Sequence, residues 1–274
     1  MFNLRDFFGK KNLLRSKELE KKKKRERIKK VVFILVTISV IIFLPAYLTS
    51  RPPVSIQSIE IRGNTVTSSE ALQTIIYKNI SGSYFGLYPK SNIFIYPRRT
   101  IEKEILSTIA RIGSAKITSD NPHSITLTIE ERIPSALWCL GDGTEAIDQQ
   151  CFFLDDTGFI FAEAPIFSDN VYFKYYGQIT EENPVGFQFQ NPKDFNNLKN
   201  LIKGLKEINV PVKHLFIKTD GGVVIIISGG GELRINKENP EKTISNLQTL
   251  LSGDIFTKDK TALSRISYID LLYG

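Results

Sequence analysis

The chain has 274 residues, 42% of them hydrophobic, with 36 Lys+Arg, 29 Asp+Glu, 18 Gly, 12 Pro and two Cys. This excludes collagen-like, wholly disordered and disulfide-dense classes and leaves enough chain to bury one or two cores. The formal charge of +7 is unevenly spread: residues 1–30 hold 13 Lys+Arg and 4 Asp+Glu, a net of +9, so the remaining 244 residues carry −2.

The basic character therefore belongs to an N-terminal tail, residues 1–30. Residues 31–50 (VVFILVTISVIIFLPAYLTS) contain no charge, and a helix of 20 residues rises about 30 Å, the depth of a bilayer's hydrocarbon core. The stretch predicts one transmembrane helix, with Pro45 near its outer end and Tyr47 placed to anchor at the interface. A cleaved signal peptide fits less well, because the basic region and the apolar run are both too long and no small-x-small triplet follows. Lys21, Lys22, Lys23, Lys24, Arg25, Arg27, Lys29 and Lys30 abut the span, while only Arg51 flanks its far side. The positive-inside rule then keeps the tail cytoplasmic and puts residues 51–274 outside. The tail can also meet anionic lipid headgroups, at about 1 kcal/mol per charge. The basic run at 21–30 lacks interleaved aromatics and adjoins the span, so it does not read as a nucleic-acid site.

Pro52 and Pro53 stiffen a spacer, residues 51–55. Residues 56–62 (IQSIEIR) read as a strand ended by the Gly63-Asn64 turn. Thr67-Ser68-Ser69-Glu70 has capping-box spacing and predicts a helix over 68–78, with Ala71, Leu72, Ile75 and Ile76 as its apolar face. Residues 81–97 are rich in Gly, Pro, Ser and aromatics and read as a loop, whose Tyr84, Phe85, Tyr88, Phe94 and Tyr96 either pack onto the sheet or line a partner surface. From Thr100, the spacing of Ile101, Ile105, Ile109 and Ile112 predicts a second helix, ended by Gly113. Strands are expected over 114–118 and 124–131, turning at Asn121-Pro122. The order strand, helix, helix, strand, strand suggests a small α+β module over 56–134, with helices on one face of its sheet.

Beyond Pro134 the pattern turns β-rich. Residues 136–140, 151–154, 158–161 and 171–175 are short apolar-aromatic runs separated by turn residues. A helix is predicted over 192–208, lined by Phe195, Leu198, Leu201, Ile202 and Leu205. Runs 214–218 and 223–228 bracket the hairpin signal Asp220-Gly221-Gly222, residues 232–235 add a strand, residues 239–251 a helix, and 266–272 a terminal strand.

This order of tail, span and modules resembles the FtsQ/DivIB bacterial cell-division proteins, and residues 56–138 look like their POTRA domain. The matching residues are Ile59-Glu60-Ile61-Arg62-Gly63-Asn64, then Thr67-Ser68-Ser69-Glu70, and above all Pro122-x-x-Ile125-x-Leu127-x-Ile129-x-Glu131-Arg132-x-Pro134-x-Ala136-x-Trp138. Asp156 and Gly158 before Phe159-Ile160-Phe161 match the family's Asp-x-x-Gly-x-Val/Ile-Phe pattern imperfectly, and Tyr268-Ile269-Asp270-Leu271 matches its closing strand. The resemblance implies a POTRA domain at 56–134, an FtsQ-type β domain at 135–274, and a divisome scaffold at the septum. Its last strands would bind an FtsB-like partner, itself paired with an FtsL-like protein, beside the septal peptidoglycan synthase. The partner-binding residues would be Ser267, Tyr268, Ile269, Asp270, Leu271, Leu272 and Tyr273. A terminal strand with free N–H and C=O groups gives a physical route, strand addition. Leu272 departs from the Arg common at that place, and the strand is short.

Cys139 and Cys151 flank a short Gly-containing segment in an oxidising compartment and are the candidate disulfide, worth roughly 3 kcal/mol for so short a loop; two free thiols are the alternative. Most members of the family it resembles lack this pair, so it departs from the family pattern. His123 and His214 have no partner at ligand spacing, so no metal site is expected, and Gly229-Gly230-Gly231 lacks the Lys of a phosphate loop, so no cofactor is expected. Asp155 and Asp156 could be paired carboxylates for glycan chemistry, but Asp156-Thr157-Gly158 reads more simply as a turn. The chain is thus expected to be non-enzymatic, the alternative being a membrane-tethered envelope enzyme acting on glycan or peptide.

Overall fold

In the computed structural model of the chain, which describes residues 4–49, 54–141, 150–167, 171–179, 182–235, 239–258 and 262–272, helix α1 (Leu4–Thr49) runs unbroken from the basic tail through the apolar stretch. Its segment Leu19–Tyr47 is long and apolar enough to cross a membrane, with mean hydropathy 2.3 and no burial over its most apolar part. Thr37 returns its hydroxyl to the Phe33 carbonyl at 2.8 Å, which keeps that donor paired in an apolar setting. Ser50, Arg51, Pro52 and Pro53, at the end of the expected span and in the spacer, lie outside the described residues.

The protein is a mixed α+β structure. It divides into two compact units, residues 1–60, 73–101 and 117–127, and residues 61–72, 102–116 and 128–274. The elements after α1 are β1 (Ser58–Arg62), α2 (Ser69–Ile80), the short strands β2 (Ser83–Tyr84) and β3 (Tyr88–Pro89), α3 (Arg98–Thr108), β4 (Ile112–Asn121) and β5 (Ser124–Glu131), with a three-stranded sheet in the order β1-β5-β4. β5 has the bounds its alternation predicts, and Ile125, Leu127 and Ile129 are buried.

Three expectations are corrected here. Ser68, not Thr67, caps α2, its Oγ accepting the Ala71 N–H at 3.1 Å, so the helix starts one residue later than the capping-box spacing implied. The loop at 81–97 contains the β2–β3 hairpin. The second helix stops at Thr108, and Ile112, which continues its spacing, instead opens β4 fully buried. A β-branched residue suits a strand at least as well as a helix, so the isoleucine period alone could not mark the boundary.

The later elements are β6 (Ala136–Cys139), β7 (Cys151–Leu154), β8 (Ile160–Glu163), β9 (Lys174–Gly177), α4 (Pro192–Glu207), β10 (Val212–Ile217), β11 (Val223–Ile227), β12 (Glu232–Ile235), α5 (Pro240–Leu251), α6 (Asp254–Lys258), α7 (Ala262–Arg265) and β13 (Tyr268–Leu271). Among the described residues they build one eight-stranded sheet in the order β13-β12-β11-β10-β9-β6-β7-β8. The crossovers β9-α4-β10 and β12-α5-α6-α7-β13 join parallel neighbours, and β10–β11, β11–β12, β6–β7 and β7–β8 are antiparallel. The strand predicted at 158–161 lies two residues later, because Gly158 with φ +81 belongs to the preceding turn, and the one predicted at 171–175 lies three residues later, at Lys174–Gly177.

The period of two sorts the side chains. Ala136, Trp138, Phe152, Leu154 and Tyr175 join the main core with the α4 face of Phe195, Leu198, Leu201, Ile202 and Leu205, while Leu137, Cys139 and Tyr176 form a second cluster with Phe153, Phe167 and Tyr172. Trp138 donates its indole N–H to the Gly177 carbonyl at 3.1 Å, so the largest buried side chain carries no unpaired donor. Asn191 and Asn239 cap α4 and α5 before Pro192 and Pro240, and the two helices meet at Gly204, where a Cβ would stand 2.2 Å from the Ile244 methyl. At Gly158 a Cβ would press within 2.7 Å of the Phe195 ring. Gly158→Ala combines that overlap with a left-handed backbone, and denaturant titration should show a loss of about 2 to 4 kcal/mol.

Candidate functional site

β13 is the end strand of the large sheet, and it pairs with β12 in parallel register: Tyr268 opposite Glu232, Ile269 opposite Leu233, Asp270 opposite Arg234 and Leu271 opposite Ile235. The Ser267 carbonyl accepts the Glu232 N–H at 3.1 Å. Backbone groups of alternate residues turn to opposite sides of a strand, so Ser267, Ile269 and Leu271 serve β12 while the N–H and C=O of Tyr268 and Asp270 face outward. The opposite edge is treated differently. There the Ile160 N–H donates to the Phe187 carbonyl at 2.9 Å, and the Gly186 N–H to the Ile160 carbonyl at 2.8 Å, so the segment at 186–188 covers the first residue of β8, with Phe159 just before it bridged to Gln188.

Side chains on β13 split by face. Ile269 is buried in the main core and Leu271 packs against it. Tyr268 is 53% exposed and lies under the Arg234 guanidinium at 4.4 Å, which also pairs with Glu232 at 3.1 Å. Asp270 takes the Leu272 N–H on its Oδ1 at 3.0 Å, which closes the strand. Leu272 is exposed beyond the strand, and Tyr273 lies outside the described residues. Glu232 and Arg234 belong to this surface but escaped the sequence reading, although the alternation Glu232-Leu233-Arg234-Ile235 places both on one face.

A second cluster forms where β5 leaves its sheet. The Glu131 carboxylate accepts the N–H groups of Thr65, Val66 and Thr67 at 3.1, 3.1 and 2.7 Å. Burial alone would raise its pKa, but these amides hold it below the usual carboxylate value. Arg132 reaches three places: its Nε donates to the Ala110 carbonyl at 3.2 Å, its guanidinium lies over the Phe159 ring at 4.2 Å, and its Nη1 pairs with Asp155 Oδ2. Asp155 Oδ1 accepts the Thr157 N–H and hydroxyl and the Phe159 N–H at 2.8, 2.7 and 3.0 Å. The acid of the β7–β8 turn is therefore Asp155, which gives the spacing Asp155-x-x-Gly158-x-Ile160-Phe161, rather than Asp156. Asp156 is exposed and pairs with Lys199 at 3.1 Å, so the adjacent carboxylates point to different partners and do not share a site.

Cys139 and Cys151 face each other across β6 and β7 and are joined as a disulfide, Cα atoms 4.1 Å apart; residues 142–149 of the enclosed segment lie outside the described residues. His214 is buried edge-on to Tyr176 at 5.1 Å, and burial together with Lys213 and Lys174 pushes its imidazole below the ordinary pKa. His123 is remote in sequence and its Nδ1 has no hydrogen-bond partner. No group of His, Cys, Asp and Glu among the described residues could hold a metal ion. A depression of about 940 Å³ lined by Leu140, Gly177, Phe189, Ile217 and neighbours has Lys218 as the one ionisable side chain in its described lining.

Burial pushes the Asp155 carboxyl up, but hydrogen bonds from Thr157 and Phe159 and the Arg132 contact outweigh it and hold the group below its ordinary value. Asp155 thus contributes stability that is complete above its unfolded pKa of about 3.9 and is lost as pH falls through the folded value. Asp155→Asn should cost about 2 to 3 kcal/mol at neutral pH and flatten acid unfolding below pH 4, read by circular dichroism. Replacing Cys139 and Cys151 together by Ser should lower the unfolding free energy by about 3 kcal/mol, with the sheet retained. Compared with protein-family models and with curated proteins, the sequence matches none.

Proposed function

We propose that this chain is a non-enzymatic scaffold of the bacterial division machinery, of the FtsQ/DivIB kind, held in the cell membrane by α1 with its N-terminal tail in the cytoplasm. In this reading residues 56–134 are a POTRA domain and residues 135–274 an FtsQ-type β domain, both outside the membrane at the septum. The β domain captures an FtsB/FtsL-like pair by adding a partner strand to β13, next to the septal peptidoglycan synthase complex.

The observation that carries this is that β13 ends the ladder of the large sheet with Tyr268 and Asp270 directed outward, whereas at the opposite edge backbone bonds from 186–188 already engage Ile160, where β8 begins. Proteins ordinarily blunt a strand edge, so an edge that no strand among the described residues covers, beside a core-anchored Ile269, suits docking of another strand. Tyr268, Arg234 and Glu232 lie on the face opposite Ile269 and can select the partner's side chains.

Asp270→Pro removes an outward N–H without touching those that Ile269 and Leu271 give to β12. Loss of one or more backbone bonds, at about 1 kcal/mol each, together with the steric block should weaken capture of an FtsB-like partner about tenfold or more. Pull-down from membranes with the full chain measures this. Removing residues 266–274 should abolish capture, and undiminished capture by both variants would refute the strand-addition site.

A further inference from the structure

The aromatic loop between α2 and α3 has no role in the proposed strand exchange, and it exposes side chains that a water-facing loop would not. Phe85 is 95% exposed and Phe94 76%. Phe85 is held out by a backbone at φ 52, a left-handed conformation that costs a phenylalanine energy and persists only where the surroundings impose it.

The same loop is fastened to the chain where it meets the apolar helix. The Tyr88 hydroxyl donates to the Ile42 carbonyl of α1 at 2.7 Å. Residues 54–56, which come after the helix, bond back to the loop: Ile93 N–H to the Val54 carbonyl at 3.0 Å, Ile56 N–H to the Ser91 carbonyl at 2.9 Å, and a bridge pairs Ser55 with Asn92. Asn92 is completely buried and its Oδ1 accepts the Phe94 N–H at 2.9 Å, which fixes the turn that carries Phe94. Lys90 sits over the Tyr84 ring at 5.6 Å. Exposed Phe, amphipathic Tyr and a Lys at the level of an apolar helix form the composition that settles among headgroups and upper acyl chains.

We propose that the loop at 83–95 is a membrane-docking element: Phe85 and Phe94 insert into the lipid leaflet on the C-terminal side of α1, continuous with the membrane surface of the helix itself. Tyr88, tied to Ile42, sets the depth, and Lys90 meets lipid phosphates. The occupant is lipid rather than protein because the loop is bonded to a segment of α1 that is itself apolar and unburied. The consequence is a restricted tilt of the first unit against the membrane surface.

The inference rests on α1 spanning the bilayer, and the two are separable. The full chain is reconstituted in vesicles of phosphatidylcholine and phosphatidylglycerol as Phe85→Trp and Phe94→Trp, with the wild type, whose single Trp138 is buried, as background. Flotation with the vesicles reports the span. Quenching by phosphatidylcholine brominated high on its acyl chains reports the loop. The expected result is that both new tryptophans emit at shorter wavelength than in water and lose most of their emission to the brominated lipid. Chains that float while both tryptophans are quenched by aqueous acrylamide and untouched by brominated lipid would overturn the loop inference alone and leave a protein partner as the cover. Chains that do not float would overturn both.

Discussion

A strand that ends a sheet leaves half of its backbone donors and acceptors to water or to another chain, and the large sheet of this protein meets that constraint in two ways. At β8 the segment 186–188 bonds the first residue of the strand, Ile160, from within the chain. At β13 the strand is anchored on one side by Ile269 in the core and by register with β12, and its other side ends the ladder. The crossover helices that bring β13 there in parallel also bury its inward side chains, so the edge is held by packing, and among the described residues no strand pairs with its outer side.

The turns around the end of β5 are organised by consecutive charges. Glu131 gathers three successive amides of the 65–67 turn, and Arg132 bonds the Ala110 carbonyl, stacks on Phe159 and pairs with Asp155. Asp155 in turn shapes the β7–β8 turn, whose Gly158 lets the chain pass against Phe195 of α4. These are positioning contacts: every one of them terminates on backbone, a ring or another charge.

Much of the fold was legible because burial follows period. The alternation of Ser124–Glu131, the apolar run Cys151–Leu154 and the stripe along Pro192–Glu207 each fixed an element closely. Ile112 misled, since its place in a three-to-four series also opens a strand. The short helices Asp254–Lys258 and Ala262–Arg265 have too few turns to show a period, and went unseen. The candidate edge was legible only in its residues: that Tyr268 and Asp270 present backbone outward depends on strand order, a long-range property that no local pattern carries. Asp155 over Asp156 was legible only in part: the bonds from Thr157 and Phe159 to Asp155 are local, but the pairing of Asp155 with Arg132 and of Asp156 with Lys199 depends on the tertiary fold.

The central claim is that the outer side of β13 is a docking ladder for another strand. Residue-resolved amide hydrogen exchange of the full chain in lipid, with and without the captured partner, tests it most directly. The account predicts that the Tyr268 and Asp270 amides exchange fast alone and become protected on binding, while those of Ile269 and Leu271, bonded to β12, are slow in both states. Partner binding that leaves Tyr268 and Asp270 exchanging at their free rate would contradict it.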